Sequence, residues 1–159
     1  MSIQIAPRPI ARGPKRRHQA RVQRFSLDME LIEQLDGLAV SDVEAHRLVD
    51  AVCWKMEVES PRLRFHARRS PYTGATEQPR WWLINMYGAD RIRAIEQDAG
   101  RPLPQHGAIR LGRTTTLMTI AHELGHHLVF ALDPMATPAH GKRWVHRFDQ
   151  AAEAIQRLI

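Results

Sequence analysis

Residues 114–132, from Thr114 to Leu132, read TTTLMTIAHELGHHLVFAL. Its apolar residues recur at the three- and four-residue spacing of an α-helix. Threonines open the stretch and Asp133-Pro134 closes it, because a proline cannot continue a helix. The sequence therefore predicts one long helix over residues 114–132.

Within this helix, residues 122–126 read HELGH and match the pattern H-E-x-x-H. At roughly 100° per residue, His122 and His126 lie about 40° apart and one turn along the helix, so both imidazoles can reach one metal ion. Glu123 projects to the same side, where it can meet water on the metal rather than the metal itself. The pattern predicts a zinc site with Glu123 as the general base. His127 points about 100° away from His126, which predicts either a surface position or a supporting contact to a metal ligand.

A catalytic zinc site needs a third protein ligand and keeps one position open. His140 is favoured because it follows a seven-residue loop that lets the chain reverse. It also lies one turn before Trp144, and so shares the face that must pack inward. Trp144 and Phe148 are interpreted as core residues. The candidates for the third ligand are His140, His146, Asp149 and Glu153.

The spacing from HELGHH to the later HGKRW at residues 140–144 resembles the HExxH…HGxxF/W arrangement of SprT-like zinc metallopeptidases. Residues 138–144, PAHGKRW, are especially similar to a group of small uncharacterised metallohydrolases in actinobacteria and their phages. The resemblance covers residues 105–150 well. It implies zinc on the two motif histidines and His140, with Glu123 as the acid and base, in an enzyme that acts on proteins or peptides.

The composition indicates one domain in a reducing compartment. A chain of 159 residues can bury a core without disulfides. Its single cysteine, Cys53, excludes a disulfide framework and also the Cys-rich zinc ribbon that many SprT-like proteins append. No run reaches the length of a membrane span, and the N-terminus lacks the apolar stretch of a signal peptide. We therefore expect a cytoplasmic protein with no membrane partner.

The net charge of +6 is concentrated in residues 1–24, which we expect to form a disordered basic tail. Seven basic residues precede the first acidic one, Asp28, whereas the other 16 of the 23 basic residues nearly balance the 17 acidic ones. Lys15, Arg16 and Arg17 are candidates for nucleic-acid contact through phosphates. A solvated arm is the alternative interpretation.

Residues 25–159 are predicted to form an α+β domain of zincin-like type, with a small sheet packed on the motif helix and a C-terminal helix. Ser41 and Glu44 form a capping-box pattern. Residues 80–87 are the strongest strand candidate because they are rich in aromatic and β-branched residues. The patterns predict further helices over 27–38, 41–57, 90–97 and 140–159, further strands over 62–69 and 108–111, and a turn-rich loop over 70–79.

In zincins, a strand beside the motif helix pairs its edge with an extended peptide. Ala108, Ile109, Arg110 and Leu111 precede the motif helix and are the candidate substrate-binding strand. An ordinary core strand is the alternative interpretation of the same four residues.

Three functions fit these patterns. The leading prediction is a zinc hydrolase that cuts peptide bonds. The second is an ImmA/IrrE-like regulatory protease, which has a similar helix but usually an acidic third ligand, here Glu153. The third is a DNA-associated regulatory module that holds zinc for structure only.

Overall fold

The computed structural model describes residues 29–65, 74–112, 115–135 and 140–159. Over these ranges the chain is an α+β structure with six helices and a three-stranded mixed sheet. The predicted tail, with Lys15, Arg16 and Arg17, lies outside them. In chain order the elements are α1 (Met29–Asp36), α2 (Asp42–Lys55), β1 (Arg62–Phe65), β2 (Gly74–Glu77), α3 (Arg80–Tyr87), α4 (Ala89–Ala99), β3 (Ala108–Leu111), α5 (Leu117–Leu132) and α6 (Lys142–Gln156).

Side-chain caps fix where two of the helices begin. Thr116 caps α5, since its hydroxyl accepts a hydrogen bond from the backbone N–H of Thr119 at 3.3 Å. Ser41 caps α2, and Glu44 returns a bond to the Ser41 backbone, which confirms the predicted capping box. None of the described helices has the length and apolar character needed to cross a membrane.

Helices α5 and α6 pack closely and carry the centre of the hydrophobic core. Trp144 and Phe148 of α6 are 1% and 0% exposed, so their predicted place in the core is confirmed. The two helices can approach closely because residue 125 of α5 is glycine, which has no side chain. A Cβ atom at Gly125 would lie 3.0 Å from Trp144 Nε1 and 3.2 Å from Phe148 Cα. The glycine inside HELGH therefore serves helix packing.

Strand β3 lies in the middle of the sheet, parallel to β1 and antiparallel to β2. Ile109, for example, lies between Leu63 and Thr76. Both edges of β3 are therefore paired, and the prediction that Ala108–Leu111 offers an edge to a peptide is wrong. The core-strand alternative holds: Ala108, Ile109 and Leu111 are buried, whereas Arg110 is exposed and pairs with Glu77 at 3.1 Å.

Two predictions about the middle of the chain are also wrong. Residues 80–87 form helix α3 rather than a strand, and residues 74–77, predicted as loop, form strand β2. A short aromatic run has no decisive periodicity, so tertiary contacts decide its conformation. The helix places Trp82 edge-on against Phe130 of α5, and Arg80 pairs with Glu96 of α4 at 2.7 Å.

Candidate metal centre

Three histidine side chains converge at one side of α5. His122 and His126 lie one turn apart on α5, and His140 approaches from the residues just before α6. Nε2 of His122 is 3.3 Å from Nε2 of His126 and 3.4 Å from Nε2 of His140. All three side chains are half-buried, and one ring nitrogen from each lies within 4.8 Å of the other two. The structure thus brings together the three histidines that the sequence singled out.

The spacing of these nitrogens fits a small tetrahedral metal ion. Two ligands at 2.0–2.1 Å from a tetrahedral zinc are separated by about 3.3–3.4 Å. The two measured Nε2 separations match that value. Three imidazoles also leave one of four coordination positions for water or substrate, as catalytic zinc sites require. The donor set and its geometry therefore suit a zinc ion.

Trp144 forms the floor beneath the three histidines. Its ring centroid lies 4.9 Å from that of His122, 5.5 Å from that of His126 and 4.7 Å from that of His140. Its buried Nε1 has no hydrogen-bond partner among the described residues. The prediction that Trp144 lies in the core is therefore correct but does not include its contact with the histidines. The spacing held the signal, since Trp144 lies one turn after His140.

Glu123 is 6% exposed and lies beside the histidines without joining them. The hydroxyl of Thr76 on β2 is 2.6 Å from Glu123 Oε2 and 3.0 Å from the Glu123 carbonyl oxygen. Burial raises the pKa of Glu123 to about 7, and the hydrogen bond from Thr76 opposes that rise. A carboxyl group with this pKa can hold or release a proton near neutral pH.

Strand β2 can reach Glu123 because residue 74 is glycine. A Cβ atom at Gly74 would lie 2.8 Å from Thr119 Cγ2 and 2.9 Å from Glu123 Cγ. Residues two apart on a strand lie on the same face, so Gly74 and Thr76 both face α5. The contribution of β2 is not evident from the sequence, because the composition of residues 70–79 is typical of a loop.

A salt bridge joins the end of α5 to α6, close to His140. Asp133, at the end of α5, pairs with Arg147 of α6 at 2.6 Å, and both side chains are largely buried. The hydrogen bond from Arg147 lowers the pKa of Asp133. Arg143 adds a longer contact to the same carboxylate at 3.4 Å. These contacts fix α6 against the end of α5. Because His140 lies just before α6, they also fix the position of His140.

The remaining candidate ligands lie elsewhere. His146 and Glu153 are exposed on α6, Asp149 is half-buried, and none of them belongs to the histidine group. His127 is only 2% exposed, so its predicted surface role is wrong. Its Nε2 lies 2.7 Å from the carbonyl oxygen of Glu59, which can only accept, and burial lowers the pKa of the ring. His127 is therefore a neutral buried donor outside the metal centre.

Comparisons of the chain with known protein families, with curated proteins and with solved structures found no match. The functional interpretation of the metal centre therefore depends on the geometry and chemistry of the residues described above.

Proposed function

We propose that this chain is a zinc-dependent metallohydrolase, a peptidase of zincin-like fold and SprT-like type. The observation that carries the proposal is the convergence of three histidines beside a buried carboxyl group, with Nε2 of His122 at tetrahedral spacing from Nε2 of His126 and of His140. Zinc held by His122, His126 and His140 would polarise a peptide carbonyl. It would also lower the pKa of water, so that hydroxide is available to attack the carbonyl carbon near neutral pH.

The protein's own groups would manage the proton in this reaction. Glu123 would take a proton from the attacking water and pass it to the departing amine. Its burial supports this role, because removal from water raises the pKa of the carboxyl group and so makes it a stronger base. The Thr76 hydroxyl holds the carboxyl group in place, and Trp144 shields the histidines from below.

Zinc is the metal that we propose, although imidazole ligands also suit copper, iron and nickel. Zinc has no geometric preference from d-electrons and is commonly four-coordinate in proteins. The two Nε2 separations from His122 match that geometry, whereas copper(II) and nickel(II) favour square arrangements.

For the substrate, we propose an extended peptide along the outer edge of β2, in place of the paired strand β3. One edge of β2 pairs with β3, and the other has no strand partner among the described residues. This strand also carries Thr76, which contacts Glu123, so a peptide on its outer edge would pass close to the metal centre. Such strand addition supplies affinity through main-chain hydrogen bonds.

Two alternatives predict different ligands or different chemistry. The third ligand of ImmA/IrrE-like proteases is usually acidic, but the candidate Glu153 is exposed and lies outside the histidine group. A structural zinc module needs no general base. The buried Glu123, oriented by a threonine from another element, favours the enzyme.

The experiment is a comparison of zinc-loaded wild type with Glu123→Gln on a proteome-derived peptide mixture, with products read by mass spectrometry. We expect wild type to cut peptides, and the variant to keep its zinc and melting temperature while losing about 10²–10⁴-fold in rate. A variant that cuts as fast as wild type refutes Glu123 as the base. A wild type that holds zinc but cuts nothing supports the structural module.

A further inference from the structure

Helix α3 leaves an unusual amount of apolar surface uncovered. A helix of a globular protein normally buries an apolar stripe against the core. None of the residues of α3 is buried, and Met86 and Tyr87 are about half exposed. The apolar residues of this eight-residue helix are Trp81, Trp82, Leu83, Ile84, Met86 and Tyr87.

One part of this surface is held rigidly against α5. The Trp82 ring meets the Phe130 ring edge-on, with centroids 5.3 Å apart and an interplanar angle of 63°. Trp82 Nε1 donates to the carbonyl oxygen of Pro134 at 2.9 Å. That bond satisfies the only polar atom of the indole, so the rest of the ring offers apolar surface. Both side chains are only partly buried.

The Trp82–Phe130 pair lies next to the metal centre. Phe130 follows His126 by four residues, which places it about 6 Å further along α5 and about 40° around the helix. It follows Glu123 by seven residues, and the two directions differ by only about 20°. Phe130 therefore shares the face of α5 that carries the metal ligands and the proposed base.

We infer that Trp82 and Phe130 form an apolar subsite for one bulky side chain of the peptide substrate, such as leucine, methionine or phenylalanine. This inference rests on the proposed peptidase function. Phe130 lies about 6 Å along α5 from His126 and about 10 Å from Glu123. Residues of an extended peptide are about 3.3 Å apart, so this side chain would lie about two or three residues from the bond that is cut.

Continuity with the metal centre identifies the occupant as substrate rather than a separate partner. Only Gln78 and Pro79 separate β2 from α3. A peptide that extends along β2 therefore continues toward the aromatic pair. The single charged residue of α3, Arg80, is paired with Glu96, so α3 offers no free charge to an acidic or basic side chain. A surface without a free charge favours an apolar residue of the peptide, because a charged residue would lose its hydration without gaining a partner.

The first test measures which residues are preferred on either side of the cleaved peptide bond. Zinc-loaded wild type, Trp82→Ala and Phe130→Ala are each incubated with the proteome-derived peptide mixture, and residue frequencies around the cut bonds are compared. Trp54→Ala is the matched control, since Trp54 is 84% exposed on α2. We expect wild type and the control to prefer a bulky apolar residue at one position. In the two subsite variants this preference should fall by roughly tenfold. An unchanged preference, or none in wild type, overturns the inference.

The second test needs no catalysis, so it separates failure of the subsite from failure of the proposed function. The indole N–H resonances of the metal-free full chain are followed by NMR during titration with N-acetyl-leucine amide, and in parallel with N-acetyl-glutamine amide. Trp82→Phe assigns the resonance. We expect the leucine probe alone to shift the Trp82 signal, while Trp54 stays unchanged, and the shift to disappear in Phe130→Ala. If wild type cuts no peptide, this titration decides: no shift at Trp82 overturns the subsite.

Discussion

Replacing Gly125 with alanine tests how closely α5 and α6 must approach beneath the three histidines. The added Cβ atom would lie 3.0 Å from Trp144 Nε1, 3.2 Å from Phe148 Cα and 3.3 Å from Phe148 Cβ. Trp144 and Phe148 are both almost fully buried, so neither can turn aside into solvent. The two helices must therefore separate by a few tenths of an ångström, or the tryptophan ring must shift.

Two opposing effects set the size of the change. Alanine is favoured over glycine inside a helix by about 0.8–1 kcal/mol. Overpacking a well-packed core costs about 1–3 kcal/mol, and here one of the obstructing atoms belongs to backbone. The packing cost is the larger effect, so we expect a net loss of about 1 kcal/mol. For a chain of this size that loss lowers the melting temperature by about 2–4 °C.

The same substitution should weaken zinc binding, because Trp144 contacts all three histidine rings. We expect a loss of about tenfold in affinity, the lower end of the range for residues that support metal ligands. Calorimetry and competition with a zinc chelator measure the two effects. Gly37→Ala is the control, since its Cβ atom would make only ordinary contacts at 3.6 and 3.7 Å. A Gly125→Ala protein that is as stable as wild type, with unchanged zinc affinity, refutes the packing argument.

Two further predictions concern other contacts. Thr76→Val removes the hydroxyl that holds Glu123 and should lower the rate of peptide cleavage by about 10–100-fold with zinc content unchanged. Thr76→Ser keeps the hydroxyl and should keep most of the rate. Equal rates in the two variants would contradict this prediction. The hydrogen bond from Arg80 holds the pKa of Glu96 at about 2, below its ordinary value of 4.5, so this pair stabilises the fold above pH 4.5 and the contribution is lost as the pH falls toward 2. Urea unfolding across that range should show a weaker pH dependence in Glu96→Gln than in wild type, and identical slopes would count against the pair.

The motif helix and its histidine pair were predictable because the signals are local. Helical periodicity and the Asp133-Pro134 stop indicated α5, and the spacing of His122 and His126 follows from helix geometry alone. The choice of His140 needed one further step, its position one turn before Trp144. The structure brings His140 to the motif histidines, which agrees with that argument.

Strand β2 and helix α3 could not be predicted from their own residues. The sequence Gly-Ala-Thr-Glu of β2 has weak strand propensity, and it pairs because β3 offers an edge while Gly74 permits contact with α5. The aromatic residues of α3 favour a strand by propensity. Their conformation is set instead by distant partners, such as Phe130 for Trp82 and Glu96 for Arg80. Thr76 was missed for the same reason, since its partner is 47 residues away.

One zinc ion per chain, held by His122, His126 and His140, is the feature on which the proposed function depends. Native mass spectrometry after zinc loading gives the number of ions per chain for wild type, His122→Ala, His140→Ala and the exposed control His146→Ala. We predict one zinc in wild type and in the control, and none in the other two variants. A folded wild type that binds no zinc, or a His140→Ala protein that binds it as tightly as wild type, would contradict the account.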